Sequence, residues 1–160
     1  MTDAKQIVYV DMDGVLVDFE SGIARLTDQE RSMYDGRFDE VPGIFARMDP
    51  IPGAIEAFTL LAGRFDVYIL STASWHNPSS WAHKVEWIQA HFGHDPSSPA
   101  YKRLILSHHK NLNRGDYLID DRPHNGAQSF VGERIVFGSD QFPDWAAVLA
   151  HLDAHGSELR

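Results

Sequence analysis

The chain has 160 residues, 43% of them hydrophobic, with nine Phe and four Trp, enough apolar bulk for one main domain and a small insertion. A formal net charge of −9 argues against binding a nucleic-acid polymer, which needs a basic surface, and the lack of any Cys excludes disulfides, thiolate metal sites and a cysteine nucleophile. Met1–Gln6 carries no secretory-type apolar run and no stretch approaches ~18 consecutive apolar residues, so the expectation is a cytoplasmic protein without a membrane segment.

Ile7–Val10 reads as a buried strand that runs straight into Asp11-Met12-Asp13-Gly14. Side chains alternate along a strand, so Asp11 and Asp13 project to the same side at its end, and Gly14 permits a sharp turn there. Residues 18–51 break the pattern: they are charged and only weakly amphipathic, around Gly22–Leu26 and Ile44–Met48. They are expected to form an inserted helical cap. Pro52-Gly53 then introduces a helix over Ala54–Leu61, and Val67–Leu70 reads as the second strand, followed by Ser71 and Thr72. A helix over Trp81–Phe92 is expected to bury Trp81, Val85, Ile88 and Phe92. Strands follow at Leu104–Leu106 and Tyr117–Ile119, with an edge strand at Ile135–Phe137; a last helix spans Pro143–Leu152, and His155–Arg160 is expected to fray. Strands alternating with helices imply a doubly wound, parallel α/β sheet, its core built from residues 1–17 and 52–160.

In such a sheet, ligands bind beyond the carboxyl ends of the strands. What stands there is Asp11 and Asp13, then Ser71 and Thr72, then Lys110 a short step on, then Asp120 and Asp121 before Arg122-Pro123. Two carboxylates as close as Asp11 and Asp13 need a positive partner, and Mg²⁺ is the natural candidate because it prefers oxygen ligands. The set suits phosphoryl transfer through an aspartate. Asp11 would be the nucleophile, and Asp13 the acid that protonates the leaving alkoxide and then the base that activates water. Mg²⁺ held by Asp11, the Asp13 carbonyl and Asp121 would offset phosphate charge; Lys110 would add to this, and Ser71 would donate to a phosphate oxygen.

These residues resemble the four motifs of the haloacid dehalogenase superfamily of phosphohydrolases, in order: Asp11–Gly14, Ser71, Lys110 and Asp120-Asp121. The chain is more specifically similar to the 5'(3')-deoxyribonucleotidases, through Asp11–Phe19, Pro50–Ala57, Leu118–Pro123 and the helix from Lys84 to Gly93. The resemblance implies a Rossmann-like core with a small helical cap and a phosphomonoesterase acting on nucleoside monophosphates such as dUMP and dTMP. It also implies Asp121 as metal ligand, Asp120 as its support, and Phe19 and Phe45 against the base. A shorter cap, Ser107-His108-His109 before the lysine and the loop Ala73–Asn77 depart from that family.

Competing readings stand beside these. Ser71 and Thr72 could be turn hydroxyls, Lys110 taken alone an ordinary surface lysine, and Arg122 a partner for a carboxylate instead of a ligand contact. Trp75, in a loop, is open between stacking on a base and simple packing. The nine His lack metal-ligand spacing, since adjacent His108 and His109 point apart in extended chain. A phosphatase for another small phosphomonoester, such as a sugar phosphate, and an inactive nucleotide-binding module are the rival functions; a homodimer is compatible with either.

Overall fold

A computed structural model describes residues 4–155; the end of the tail expected to fray, residues 156–160, lies outside them. In chain order the elements are strands β1 (Ile7–Val10) and β2 (Val17–Asp18), helices α1 (Phe19–Ala24) and α2 (Asp28–Met33), strand β3 (Asp49–Pro50), helix α3 (Ala54–Arg64), strand β4 (Asp66–Ser71), helix α4 (Ser79–Phe92), strands β5 (Leu104–Leu106), β6 (Tyr117–Asp120) and β7 (Glu133–Val136), and helix α5 (Trp145–His155). Five strands form one sheet in the order β5-β4-β1-β6-β7, every neighbouring pair parallel. From β1 the chain adds β4 and β5 on one side, then crosses to add β6 and β7 on the other. The order therefore reverses at β1, which opens a crevice above its carboxyl end.

Alternation along the strands divides the core. Val8, Val10, Val67, Ile69, Tyr117, Ile119 and Ile135 join the larger apolar cluster with α3 (Ala57, Phe58, Leu61), α4 (Trp87, Ile88) and α5 (Trp145, Val148, Leu152). Tyr9, Leu70 and Leu118 face the other way, against Ala127 and Phe130. The expected strands and helices are all present, with shifted ends: β4 starts at Asp66, β7 runs over Glu133–Val136, and α5 extends to His155, inside the tail expected to fray.

The buried face of α4 is rotated from the expected one, which holds at Ile88 and Phe92 but not at Trp81 and Val85. In α4 the buried residues are Ser80, Lys84, Trp87 and Ile88, whereas Val85 is 40% exposed and Trp81 only partly buried. The long apolar stem of Lys84 takes the place that a periodicity rule reserves for an aliphatic residue.

Residues between β2 and β3 leave and return through a two-residue antiparallel ribbon, Val17 opposite Pro50 and Asp18 opposite Asp49. The Asp18 carboxylate caps α1 by accepting from Ser21 N, and Thr27 with Glu30 forms a capping box on α2. Two 3-10 turns follow, Phe38–Glu40 and Ile44–Arg47. Leu26, Val41, Ile44, Phe45 and Met48 belong to the same apolar cluster as the sheet, so the insertion has no separate core. Gly22 allows this closeness, because a Cβ there would lie 2.8 Å from Met48 Cγ.

Two buried indoles fasten these layers: Trp87 Nε1 donates to Met48 O and Trp145 Nε1 to Val15 O, each at 2.9 Å. Trp145→Phe keeps most of the apolar contact but strands the Val15 carbonyl. It is expected to lower stability by about 1–2 kcal/mol, read as a lower urea midpoint at unchanged slope. An unchanged midpoint would contradict this role for the indole.

Candidate active site

The five-stranded sheet delivers the polar residues at its carboxyl ends to one place. Asp11 follows β1 directly, Ser71 ends β4, Lys110 opens the turn after β5, and Asp120 ends β6 with Asp121 beside it. Lys110 Nζ lies 3.1 Å from Asp11 Oδ1 and 2.6 Å from Asp120 Oδ2, almost wholly out of solvent. Its backbone is fixed as well, since Lys110 N donates to Asn125 O at 2.7 Å. Asn125 lies just before Gly126, where φ is +82° and any Cβ would strike Asn111.

A second ammonium lies opposite, one that the sequence reading did not place in the site. Lys84 Nζ donates to Asp13 Oδ2 at 2.8 Å and to Ser71 Oγ at 3.0 Å. Its side chain is fully buried and its charge sits 4.6 Å from the Phe45 ring centroid, a favourable cation–π arrangement. The available signal was the spacing Ser80, Lys84, Trp87, Ile88, a helix face on which Lys84 is the only charge.

The carboxylates are engaged unequally. Asp11 Oδ1 accepts from Met12 N at 2.8 Å and faces Lys110, leaving Oδ2 without a hydrogen bond among the described residues. Both oxygens of Asp120 are committed, Oδ2 to Lys110 and Oδ1 to Arg122 N at 3.0 Å. Asp13 Oδ1 is buried without a partner. Asp121 Oδ2 lies against Gly14, where a Cβ would come within 2.1 Å of it.

Four carboxylates, Asp11, Asp13, Asp120 and Asp121, thus face two buried ammonium groups and the exposed Arg122 guanidinium beside Asp121, which leaves negative charge in excess in a poorly solvated site. The protonation energetics register the imbalance. Burial, opposed by Lys110 and reinforced by Asp120, pushes Asp11 up to about 6. Burial, reinforced by Asp11 and Asp120, pushes Asp121 up to about 7. Asp13 is also raised, chiefly by burial, against the pull of Lys84. Lys110 is raised too: burial lowers it, but Asp11 and Asp120 outweigh that. One oxygen each from Asp11, Asp120 and Asp121 lies within 4.8 Å of the others, the oxygen-rich, charge-deficient setting that suits a hard divalent cation.

Around this cluster lies a cleft of about 820 Å³. Phe19 and Phe45 pack edge-on, ring centroids 5.9 Å apart, and with Phe38 and Ile51 they line its apolar part. Trp75 stands on the rim, 73% exposed, held edge-on to His108 at 5.9 Å. Arg122 also lies on the rim, its guanidinium 3.7 Å from Asp121. Of the two hydroxyls after β4, Thr72 donates to Ser107 O at 2.7 Å, whereas Ser71 is fully buried beneath Lys84.

Asp121 offers a direct test of the charge imbalance. Its carboxyl is shifted from 3.8 to about 7, so the native state binds the proton more tightly than the unfolded chain between those values. In metal-free protein, stability should therefore fall as pH rises through that window and level off above it. Asp121→Asn is expected to raise the Tm of metal-free protein at about pH 8, the gain vanishing near about pH 4. A variant less stable than wild type at the higher pH would contradict the imbalance.

The comparisons agree with the geometry. Residues 23–144 match the family described as 5' nucleotidase, deoxy (pyrimidine), cytosolic type C protein. A Vibrio phage KVP40 protein named "Putative 5'(3')-deoxyribonucleotidase" is 59% identical over 92% of this chain and 85% of its own. The human cytosolic-type 5'(3')-deoxyribonucleotidase is 28% identical over 89% of this chain and 78% of its own. Among solved structures, a haloacid dehalogenase superfamily hydrolase from Geobacter sulfurreducens superposes with a TM-score of 0.59 at 12% identity, covering 95% of this chain and all of the other. The magnesium-bound hydrolase YfnB from Bacillus subtilis gives 0.55 at 14%, covering 89% and 92%. Fold and family converge: the chain belongs to the 5'(3')-deoxyribonucleotidases, phosphoric monoester hydrolases on the haloacid dehalogenase fold.

Proposed function

We propose that this enzyme hydrolyses deoxyribonucleoside monophosphates, with dUMP and dTMP as the preferred type, through a phosphorylated Asp11. The observation that carries the reading is the clamp on Asp11: Lys110 and Met12 N hold Oδ1, which orients Oδ2 as the attacking atom. Asp11 Oδ2 bonds to phosphorus as the ester P–O bond breaks, and Asp13 delivers its proton to the departing alkoxide. Asp13 then removes a proton from the water that attacks the aspartyl phosphate, releasing phosphate and restoring Asp11. The raised Asp13 carboxyl supports the acid role.

Asp11, the Asp13 carbonyl and Asp121 would hold Mg²⁺, supported through the neighbouring Asp120, and the ion would offset phosphate charge as the P–O bonds change. With Oδ1 on Arg122 N and Oδ2 on Lys110, Asp120 is suited to support instead of direct ligation. Lys110 would face phosphate oxygens, whereas Ser71, fully buried and not lining the cleft, would act by holding Lys84. The hydroxyl of Thr72 is directed at Ser107, so Thr72 would contribute through its backbone. Phe19 and Phe45 would contact the base from the insertion side and Trp75 from the rim, an aromatic setting that favours a nucleoside over a sugar as the leaving group. The four arginines of the insertion are engaged: Arg25 with Asp49, Arg31 with Ile23 O, Arg37 with Glu40 and Arg47 with Glu30. A second phosphate would find no ready partner there. No helix among the described residues is long and apolar enough to cross a membrane, and a small-molecule role in the cytoplasm completes the proposal.

Asp11→Asn is expected to abolish turnover of an aryl phosphate in the presence of Mg²⁺, measured as phosphate release; residual wild-type-like turnover would remove the nucleophile assignment. A screen of nucleotides and sugar phosphates should show kcat/KM favouring deoxynucleoside monophosphates by about tenfold or more, the scale of one good contact set. Flat or sugar-biased turnover would overturn the substrate reading. Lys84→Met leaves Asp13 without its cation and is expected to lower kcat by about 10²-fold, with little change in KM. An unaffected kcat would make Lys84 purely structural.

A further inference from the structure

We infer that Asn77 is a specificity-determining positioning residue: its one amide locks the insertion onto the loop after β4 and so presets two adjoining stretches of the cleft lining, Phe38–Glu40 and Trp75–His76. The inference rests on the nucleotidase reading above for the identity of the leaving group. Asn77 is 2% exposed and does not itself line the cleft. Its Nδ2 donates to Asp39 O at 2.9 Å and to Val41 O at 3.0 Å, both in the insertion. Its Oδ1 accepts from Ser79 Oγ at 2.5 Å, and Ser79 Oγ accepts in turn from Gly43 N at 3.2 Å. Every polar atom of the amide side chain is therefore spent on holding residues 39–43, directly or through Ser79.

The same residue closes the adjoining turn after β4. Asn77 N donates to Ser74 O at 3.2 Å, and Asn77 O accepts from Ser80 N at 2.9 Å at the start of α4. The two residues inside that turn, Trp75 and His76, line the cleft, and beside them the pinned stretch carries the lining residues Phe38, Asp39 and Glu40. A nucleoside binding against fixed walls does not have to order them, and that saving appears as affinity. A substrate too small to reach the walls gains nothing from the lock.

Two substrates and one substrate-free measurement separate this role from general structural damage. In Asn77→Ala, KM for dUMP is expected to rise about tenfold, the scale of losing a buried hydrogen-bonded anchor, while kcat stays near wild type. Turnover of acetyl phosphate, which has no base or sugar, should be unaffected. Amide hydrogen exchange in the free enzyme should accelerate over residues 38–44 and 74–77. Should Asn77→Ala fail to fold, Ser79→Ala carries the same readouts in milder form, centred on Gly43. Equal losses on both substrates, or unchanged exchange over 38–44, overturns the inference. A wild type active on acetyl phosphate but inert toward nucleotides overturns the nucleotide reading and the specificity assignment with it, while the exchange result still decides whether the lock exists.

Discussion

Negative charge held close at the ends of parallel strands is the constraint from which the rest of this site follows. Asp11 and Asp13 project from β1, and Asp120 and Asp121 from β6, because β1 and β6 are adjacent in the sheet. Four carboxylates in one crevice would repel strongly without compensation. Two lysines supply part of it from opposite directions, Lys110 beneath Asp11 and Asp120, and Lys84 beneath Asp13. The remaining deficit shows as the upward shifts at Asp11 and Asp121, and it is what makes the crevice receptive to a divalent ion. The proposed metal site, the orientation of Asp11 and the proposed acid–base role of Asp13 all draw on one electrostatic arrangement.

The insertion contributes shape to that arrangement. It carries Phe19, Phe38 and Phe45 to the open side of the cleft while sharing the apolar core of the sheet. Phe45 connects the two halves, since one side of its environment is the Phe19 ring and another is the Lys84 ammonium. A change at the apolar wall therefore reaches the charge that holds Asp13. Buried contacts at Trp87, Asn77 and the β2–β3 ribbon fix the insertion at several points, which suits entry through an open mouth.

Much of this could be read from residue order alone, for identifiable reasons. Asp11 and Asp120-Asp121 end apolar strands, so both their secondary structure and their location at the crevice follow from pattern. Lys110 carried no such signal; its place came from family resemblance, and the structure sets it between Asp11 and Asp120. Lys84 was hidden because a hydrophobic-periodicity rule counts lysine as polar and so turned α4 toward Val85. Asn77 stands out in the sequence only as the end of the loop Ala73–Asn77, and its long-range partners in 39–41 depend on how the insertion folds back, which no local window contains. The β2–β3 ribbon, two residues per strand, is too short to show any period.

A divalent cation is expected to fill the charge deficit between β1 and β6, and anomalous diffraction from crystals soaked in Mn²⁺ would locate it. A single strong peak is expected in contact with the carboxylate oxygens of Asp11 and Asp121 and the carbonyl of Asp13. An empty crevice at saturating Mn²⁺, or a peak held elsewhere on the molecule alone, would contradict it.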